Sequence, residues 1–368
     1  MHRQDKFHAI FTKLSLLALV LFTATACTPY AVGGLQTGGS QKEGTLVASG
    51  ETSSVYSIYF TEPHAGKLSY RGGPDEALAQ AIEQARLSVD VAAYQLGLWS
   101  IRDALLDAHQ RGVAVRVVTE SDNLDGEEIQ QIQQAGIPVL GDRREGLMHN
   151  KFVVIDQLET WTGSMNLTLN GAYRNDNNLL RLRSSRLAQD YTTEFEEMFV
   201  EDKFGPGSPA NTPYPELSID GMQVEVLFSP DDGVAERLVE LVQGAQESVL
   251  FLAYSFTSDD LALAMIDRAR SGVRVAGVME ANQYRSNMGT EYDRLRKSGV
   301  QVRLDGNPNR MHHKVLIVDG RVVVTGSYNF SQSAETRNDE NTLVIHSPEL
   351  AQAFVEEFER VYKQGKGE

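Results

Sequence analysis

At 368 residues the chain is long enough for two ordinary domains, each burying its own core, and its single cysteine excludes an internal disulfide. A formal charge of -16 disfavours loose, sequence-independent binding to nucleic acid, because that affinity comes from Lys and Arg neutralising phosphates. Local arginines such as Arg143 and Arg144, or Arg303 and Arg310, read as solvated surface side chains.

In chain order, Arg3, Lys6 and Lys13 precede an apolar run from Leu14 to Phe22 and then Ala24-Thr25-Ala26. That is a secretory signal over residues 1–26, with an apolar run too short to span a bilayer. Cys27 follows directly, and Thr25-Ala26-Cys27 resembles the lipobox of bacterial lipoproteins, in which the cysteine is lipidated. Ala24 departs from the leucine usual in that pattern. An exported protein whose one cysteine stands here has little other use for it. Residues 27–54, rich in Gly, Ser and Thr, then read as a flexible tether. The expected location is the bacterial cell envelope, lipid-anchored, and Thr28 in place of aspartate points to the outer membrane facing the periplasm.

A second break, Phe204-Gly205-Pro206-Gly207-Ser208-Pro209 with Pro213 and Pro215, cannot continue a helix or central strand. Residues 204–220 therefore read as a linker between a first domain at 55–203 and a second at 221–368. The halves align: Ser88–Tyr94 matches Ser248–Tyr254, and Arg111–Arg116 matches Ser271–Ala276. Apolar runs at Val113–Val118 and Val273–Val278 predict strands buried on both faces. Amphipathic stretches at Ala77–Ala85, Leu261–Ala269 and Leu350–Val361 predict helices between strands. Alternating strands and helices predict an α/β fold with a largely parallel sheet in each half, covered on both sides.

The strongest signal is a gapless pattern present twice, H-x-K-x4-D-x6-G-S-x-N. It runs from His149 and Lys151 through Asp156 to Gly163-Ser164-Met165-Asn166, and from His312 and Lys314 through Asp319 to Gly326-Ser327-Tyr328-Asn329. The apolar runs Phe152–Ile155 and Val315–Val318 predict strands, in which residues i and i+2 point to one side. Each histidine and its lysine thus emerge together, while His313 faces away as a bystander. Two histidines, two lysines and two asparagines suit an anion with several oxygens, phosphate above all. The histidines fit a two-step displacement, one attacking phosphorus while the other protonates the leaving oxygen. No cluster at metal-ligand spacing is present, so positive charge is expected from side chains, with no metal and no cofactor.

The doubled pattern resembles the phospholipase D superfamily, from about Val55 to the C-terminus. The resemblance implies two similar α/β/α sandwich halves related by pseudo-twofold symmetry, with the active site at their interface. It implies a covalent phosphohistidine and no metal requirement. His149 would be the nucleophile and His312 the general acid and then base. Lys151, Lys314, Asn166 and Asn329 would hold the phosphoryl oxygens, assisted by Ser164 and Ser327. Asp156 and Asp319 belong to the catalytic signature, but their place after the strand suits fixing local geometry better than touching substrate. Glu340 stands where family members have a carboxylate that orients a catalytic histidine. The first half has Asn177 there, beside Asp176. The nucleophile has the greater need of a carboxylate, which favours Glu340 serving His149 across the halves, with the reverse assignment open.

Three readings follow. A lipid phosphodiesterase fits the export signal, the anchor and the acidic charge. A metal-independent nuclease fits the compact halves and the run around Glu340. A tethered phosphate-binding module needs only the lysines and leaves the histidines unexplained. Both motifs lie in one chain, so a monomer is expected.

Overall fold

The computed structural model describes residues 54–63 and 70–366. The expected signal, the tether and Cys27 lie outside the described residues. No helix among the described residues is long and apolar enough to cross a membrane.

Each half is built on one mixed sheet. In the first, seven strands run in the order Tyr56–Phe60, Asn178–Arg183, Glu159–Gly163, Lys151–Ile155, Ser88–Ala93, Ala114–Thr119, Val139–Gly141. The second repeats this order with Met222–Ser229, Glu340–His346, Val322–Gly326, Lys314–Val318, Ser248–Ala253, Arg274–Met279 and Gln301–Leu304. It adds one edge strand, Glu216–Ile219, paired with Met222–Ser229.

The expected largely parallel sheet is corrected here. Only the three strands at one end of each sheet are parallel, and the rest are antiparallel. The cause is local: after each motif strand the chain turns through a left-handed Asp156 (φ 54°) or Asp319 (φ 52°) directly into the next strand, with no crossover helix. A tight turn can join only antiparallel neighbours. The expected linker also ends earlier than proline content suggested. Glu216–Ile219 alternates inward and outward side chains and adds to the sheet edge, and Phe204 is buried.

The two halves share one apolar core. Helix Ser185–Phe199, capped by Ser184, packs on both sheets. Its counterpart Pro348–Gln364, capped by Ser347, covers the second sheet. Phe60, Phe152, Tyr191 and Phe195 from the first half join Phe228, Leu343, Phe354 and Phe358 from the second in a continuous cluster. Tyr191 meets Phe228 edge-on at 5.2 Å between ring centroids, as Phe60 meets Phe354. A separate cluster lies on the outer face of each sheet, under helices Pro74–Glu83 and Trp99–Gln110 in the first half and Val234–Gly244 and Asp259–Arg270 in the second.

Candidate active site

The histidines precede their strands, where backbone pairing would normally stop. Each is held by the other half instead. The His149 amide donates to the Asp339 carbonyl (3.0 Å), and the Asp339 amide to the Leu147 carbonyl (2.9 Å). Reciprocally, the His312 amide donates to the Asp176 carbonyl and the Asp176 amide to the Arg310 carbonyl, both at 2.9 Å. The motif peptides thus add as short parallel bridges to the opposite half, and both histidines are buried at the seam.

Their side-chain partners also cross the seam. His149 Nδ1 bonds Glu340 Oε2 at 2.6 Å, while His312 Nδ1 faces Asn177 Oδ1 at 3.0 Å and the Ser164 carbonyl at 3.1 Å. Glu340 therefore lies against His149, the cross-half pairing that the sequence favoured. Ser164 Oγ donates to Asn177 Oδ1 (2.9 Å), and Ser327 bonds the Glu340 side chain, so the serines steady the histidines' partners.

The lysines close the ring. Lys151 Nζ donates to the His149 carbonyl (2.6 Å), and Lys314 Nζ to the His312 carbonyl (2.9 Å), beside His312 Nε2 at 3.3 Å. Both are buried. Burial lowers Lys151 to about 7, and burial with the neighbouring Lys151 charge holds Lys314 well below the usual lysine range. Burial, then the two lysines, likewise hold both histidines well below their ordinary values. Burial pushes the Glu340 carboxyl up to about 7 against the pull of Lys151. Four buried bases thus share the site with one carboxylate, which contacts His149 alone among the four, an arrangement that favours an entering anion.

Asn166 and Asn329 follow the glycine-serine turns. Their side-chain oxygens are buried without a hydrogen-bond partner among the described residues, and no hydrogen bond ties them to the motif histidines or lysines. The turns require glycine: at Gly163 and Gly326 (φ 148° and 153°) a Cβ would come within 2.5 and 2.1 Å of the Asn178 and Asn341 carbonyl oxygens.

Asp156 and Asp319 are not brought to the site. Each ends a five-residue motif strand, about 16 Å of extended chain from its lysine. Asp156 accepts the amides of Arg86, Leu87 and Ser88, and Asp319 those of Gln246, Glu247 and Ser248. Burial raises the Asp319 carboxyl, but the three amides outweigh it and hold it low. Their inclusion with the catalytic residues is thereby corrected to a turn-fixing role.

The residues between histidine and lysine are not bystanders. Asn150 Nδ2 donates to Glu194 Oε1 (3.1 Å) and its Oδ1 accepts from Asn341 Nδ2 (2.9 Å). His313 bonds Glu357 through Nε2 (2.8 Å) and Asn178 through Nδ1 (3.1 Å). Each ties the buried back of the motif strand to a helix of its own half and a strand of the other. Two further residues escaped the sequence reading. Tyr94 lies against His149 at 5.0 Å between centroids, and Tyr254 against His312 at 4.5 Å. Both end the aligned segments Ser88–Tyr94 and Ser248–Tyr254, which was the available signal. Among the described residues no three His, Cys, Asp or Glu side chains converge as metal ligands.

The profile described as "Cardiolipin synthase, PLD-like domain" matches residues 78–199 and again 238–362, once in each half. The chain belongs to this PLD-like family. Among relatives, it is 38% identical over 133 residues to the human mitochondrial cardiolipin hydrolase, covering 36% of this chain and 52% of that one. It is 30% identical over 142 residues to a phospholipase D of Rickettsia typhi, covering 39% of this chain and 68% of that one. It spans only 52–63% of the length of the human, Xenopus laevis and Chlamydomonas reinhardtii cardiolipin hydrolases. The crystal structure of a Haemophilus influenzae phosphatidylserine synthase superposes with a TM-score of 0.64 at 16% identity, over 84% of this chain and 87% of that one. That likeness is one of fold and extends across most of both chains.

Proposed function

We propose that the protein is a phospholipase D-type phosphodiesterase that hydrolyses phospholipids through a covalent phosphohistidine. The observation that carries the reading is the unequal pair of histidines: His149 has a carboxylate on Nδ1, whereas His312 has a neutral amide. A carboxylate fixes the tautomer that leaves Nε2 free to attack, and stabilises the cation formed as the N–P bond grows. Asn177 supplies no such charge, which suits a residue that only exchanges protons.

In the first step His149 Nε2 bonds phosphorus, the P–O bond to the alcohol breaks, and protonated His312 gives its proton to the departing oxygen. In the second, His312 takes a proton from water, the new O–P bond forms and the N–P bond breaks. Lys151 and Lys314, at the starts of the motif strands, hold phosphoryl oxygens, and the amides of Asn166 and Asn329, after the glycine-serine turns, add donors. A bound phosphodiester anion offsets the lysine charges and favours the protonated His312 needed at the start.

Phospholipid as substrate is supported by the names of the human and Rickettsia relatives, by the acidic chain, and by the N-terminal pattern ending at Cys27, which would anchor the enzyme in the bacterial envelope. One copy supplies both motifs, so a monomer suffices. The test is full-length protein in detergent with phospholipid micelles, with and without ethanol, and separately with single- and double-stranded DNA, all with excess chelator. Phosphatidylethanol should form, since an alcohol can capture the phosphohistidine in place of water. DNA cleavage without any lipid product would establish the nuclease instead. Lipid hydrolysis that ethanol never diverts would remove the covalent step.

A further inference from the structure

The two sides of the site are built on matched residues, which makes their mismatches informative. Lys151 Nζ lies 5.2 Å from the Tyr94 ring centre, and Lys314 Nζ lies 4.8 Å from that of Tyr254. Beyond each tyrosine, Glu120 and Glu280 cap the next short helical turn by accepting from Asp122 and Gln283 amides. Asp142 and Asp305 then accept from the Ser121 and Ala281 amides.

Within this frame several positions differ in charge. Arg143, Arg144 and Glu145 of the first half stand where the second has Gly306, Asn307 and Pro308, but Arg143 is paired with Asp202 and Arg144 with Asp339, while Asp125 is matched by Arg285. Two more exchanges lie beside the tyrosines. Two residues after the capping glutamate stands Asp122 in the first half and Asn282 in the second; directly before the paired methionines Met148 and Met311 stand Leu147 and Arg310. Each exchange makes the Tyr254 side more positive by one charge. Arg310 Nη1 donates to the Tyr254 hydroxyl at 3.2 Å, which also accepts from Gln283 Nε2 at 3.1 Å. Among the described residues no carboxylate lies within 4 Å of the exposed Arg310 guanidinium. Its charge reaches Glu280: burial raises that carboxyl, and the Gln283 amide and the Arg310 charge pull it back. On the other side burial raises the Tyr94 hydroxyl, and the Glu120 and Asp122 charges push it further. No arginine stands there in the place of Arg310, which is Leu147.

In-line attack by His149 sends the departing oxygen toward His312, so the leaving alcohol lies on the Tyr254 side. We propose that Arg310, held by Tyr254, recognises an anionic group carried by the leaving alcohol, and that the Asp122 flank takes the uncharged arm of the diester. The proposal rests on the division of labour between the histidines given above. It also distinguishes substrates. A polynucleotide carries phosphates on both sides of the scissile bond and would meet Asp122 and Glu120 with one of them. A phospholipid whose alcohol bears a phosphate needs a cation on one side only.

The test uses full-length enzyme and three phospholipids with identical acyl chains, whose leaving alcohols are choline, glycerol and glycerol 3-phosphate. Each is kept dilute in neutral micelles so that surface charge stays constant. Wild type should show the highest kcat/KM with glycerol 3-phosphate as leaving alcohol. Arg310→Ala should lower that value about tenfold or more, the size of a lost charge-assisted hydrogen bond, and leave the glycerol headgroup within about twofold by the same principle. Arg310→Lys should recover much of the loss. The side chain is exposed, so an unchanged thermal midpoint checks folding. Choline as the preferred alcohol, or an Arg310→Ala loss equal on all three lipids, overturns the proposal while the lipid reading stands. A wild type that turns over none of the three lipids overturns both.

Discussion

At the residue scale, the proposed mechanism turns on what each histidine finds at Nδ1. If His312 serves only to move protons, its first task disappears when the leaving group needs none. With a nitrophenyl ester, His312→Ala should still form the intermediate and then stall for want of an activated water. The expected trace is a burst of about one equivalent of nitrophenol, with phosphate retained on His149 by mass spectrometry. Alkyl esters should slow by about 10²–10⁴-fold, the usual share of general acid–base catalysis. Label on His312 in the His149→Ala protein would reverse the roles. The histidines and lysines were legible in the sequence because i, i+2 spacing in a strand is enough to put them together. The duty of Asn177 was not legible. Its amide reaches His312 only because segments of the two halves exchange backbone hydrogen bonds at the seam, and no local pattern encodes that contact. Tyr94 and Tyr254 end matching segments of the two halves, but an aromatic at the end of a strand is ordinary without its neighbour.

At the element scale, the conserved spacing between lysine and aspartate in the two motifs measures one strand. Asp319 sits where the strand ends and accepts three amides from the loop that starts the neighbouring strand, Ser248–Ala253. Asp319→Ala should therefore destabilise the fold by about 1–2 kcal/mol, a charge-assisted hydrogen-bond loss discounted for partial exposure. The kcat of the folded enzyme should stay within about threefold, because no acid–base group is touched. Urea unfolding beside steady-state kinetics checks both, and a large loss of kcat without loss of stability would return Asp319 to the catalytic centre. The turn it fixes is also why sheet direction was misread. Helix and strand periodicity were plain in the sequence, but left-handed Asp156 and Asp319 are single residues whose φ has no periodic signature. They convert the expected crossover into a hairpin.

At the scale of the whole molecule, the seam is a shared core with buried acids behind it. Asp190 on helix Ser185–Phe199 accepts the Tyr214 amide at 2.7 Å, and its second oxygen is buried without a partner. Burial pushes its carboxyl from 3.8 up to about 7. The folded state therefore keeps a proton that the unfolded chain has lost. Stability from this group is full below pH 3.8 and disappears as pH rises through about 7. Asp190→Asn removes that loss, so relative to wild type it should gain about 1–2 kcal/mol more at pH 8 than at pH 5. Urea midpoints at the two pH values measure it, and an equal effect at both would mean the proton is not held. That the halves share one core was not legible, because each strand's apolar face looks the same whether a helix or a second domain covers it. The pairing of Glu340 with His149 and of Asn177 with His312 has a consequence for lineage. Two identical chains meeting at such a seam must place the same side chain beside both histidines, so neither could be marked as attacker before substrate arrives. Joining the halves in one polypeptide frees the two copies to drift apart. The choice of nucleophile then becomes an inherited property of the gene instead of an accident of each encounter.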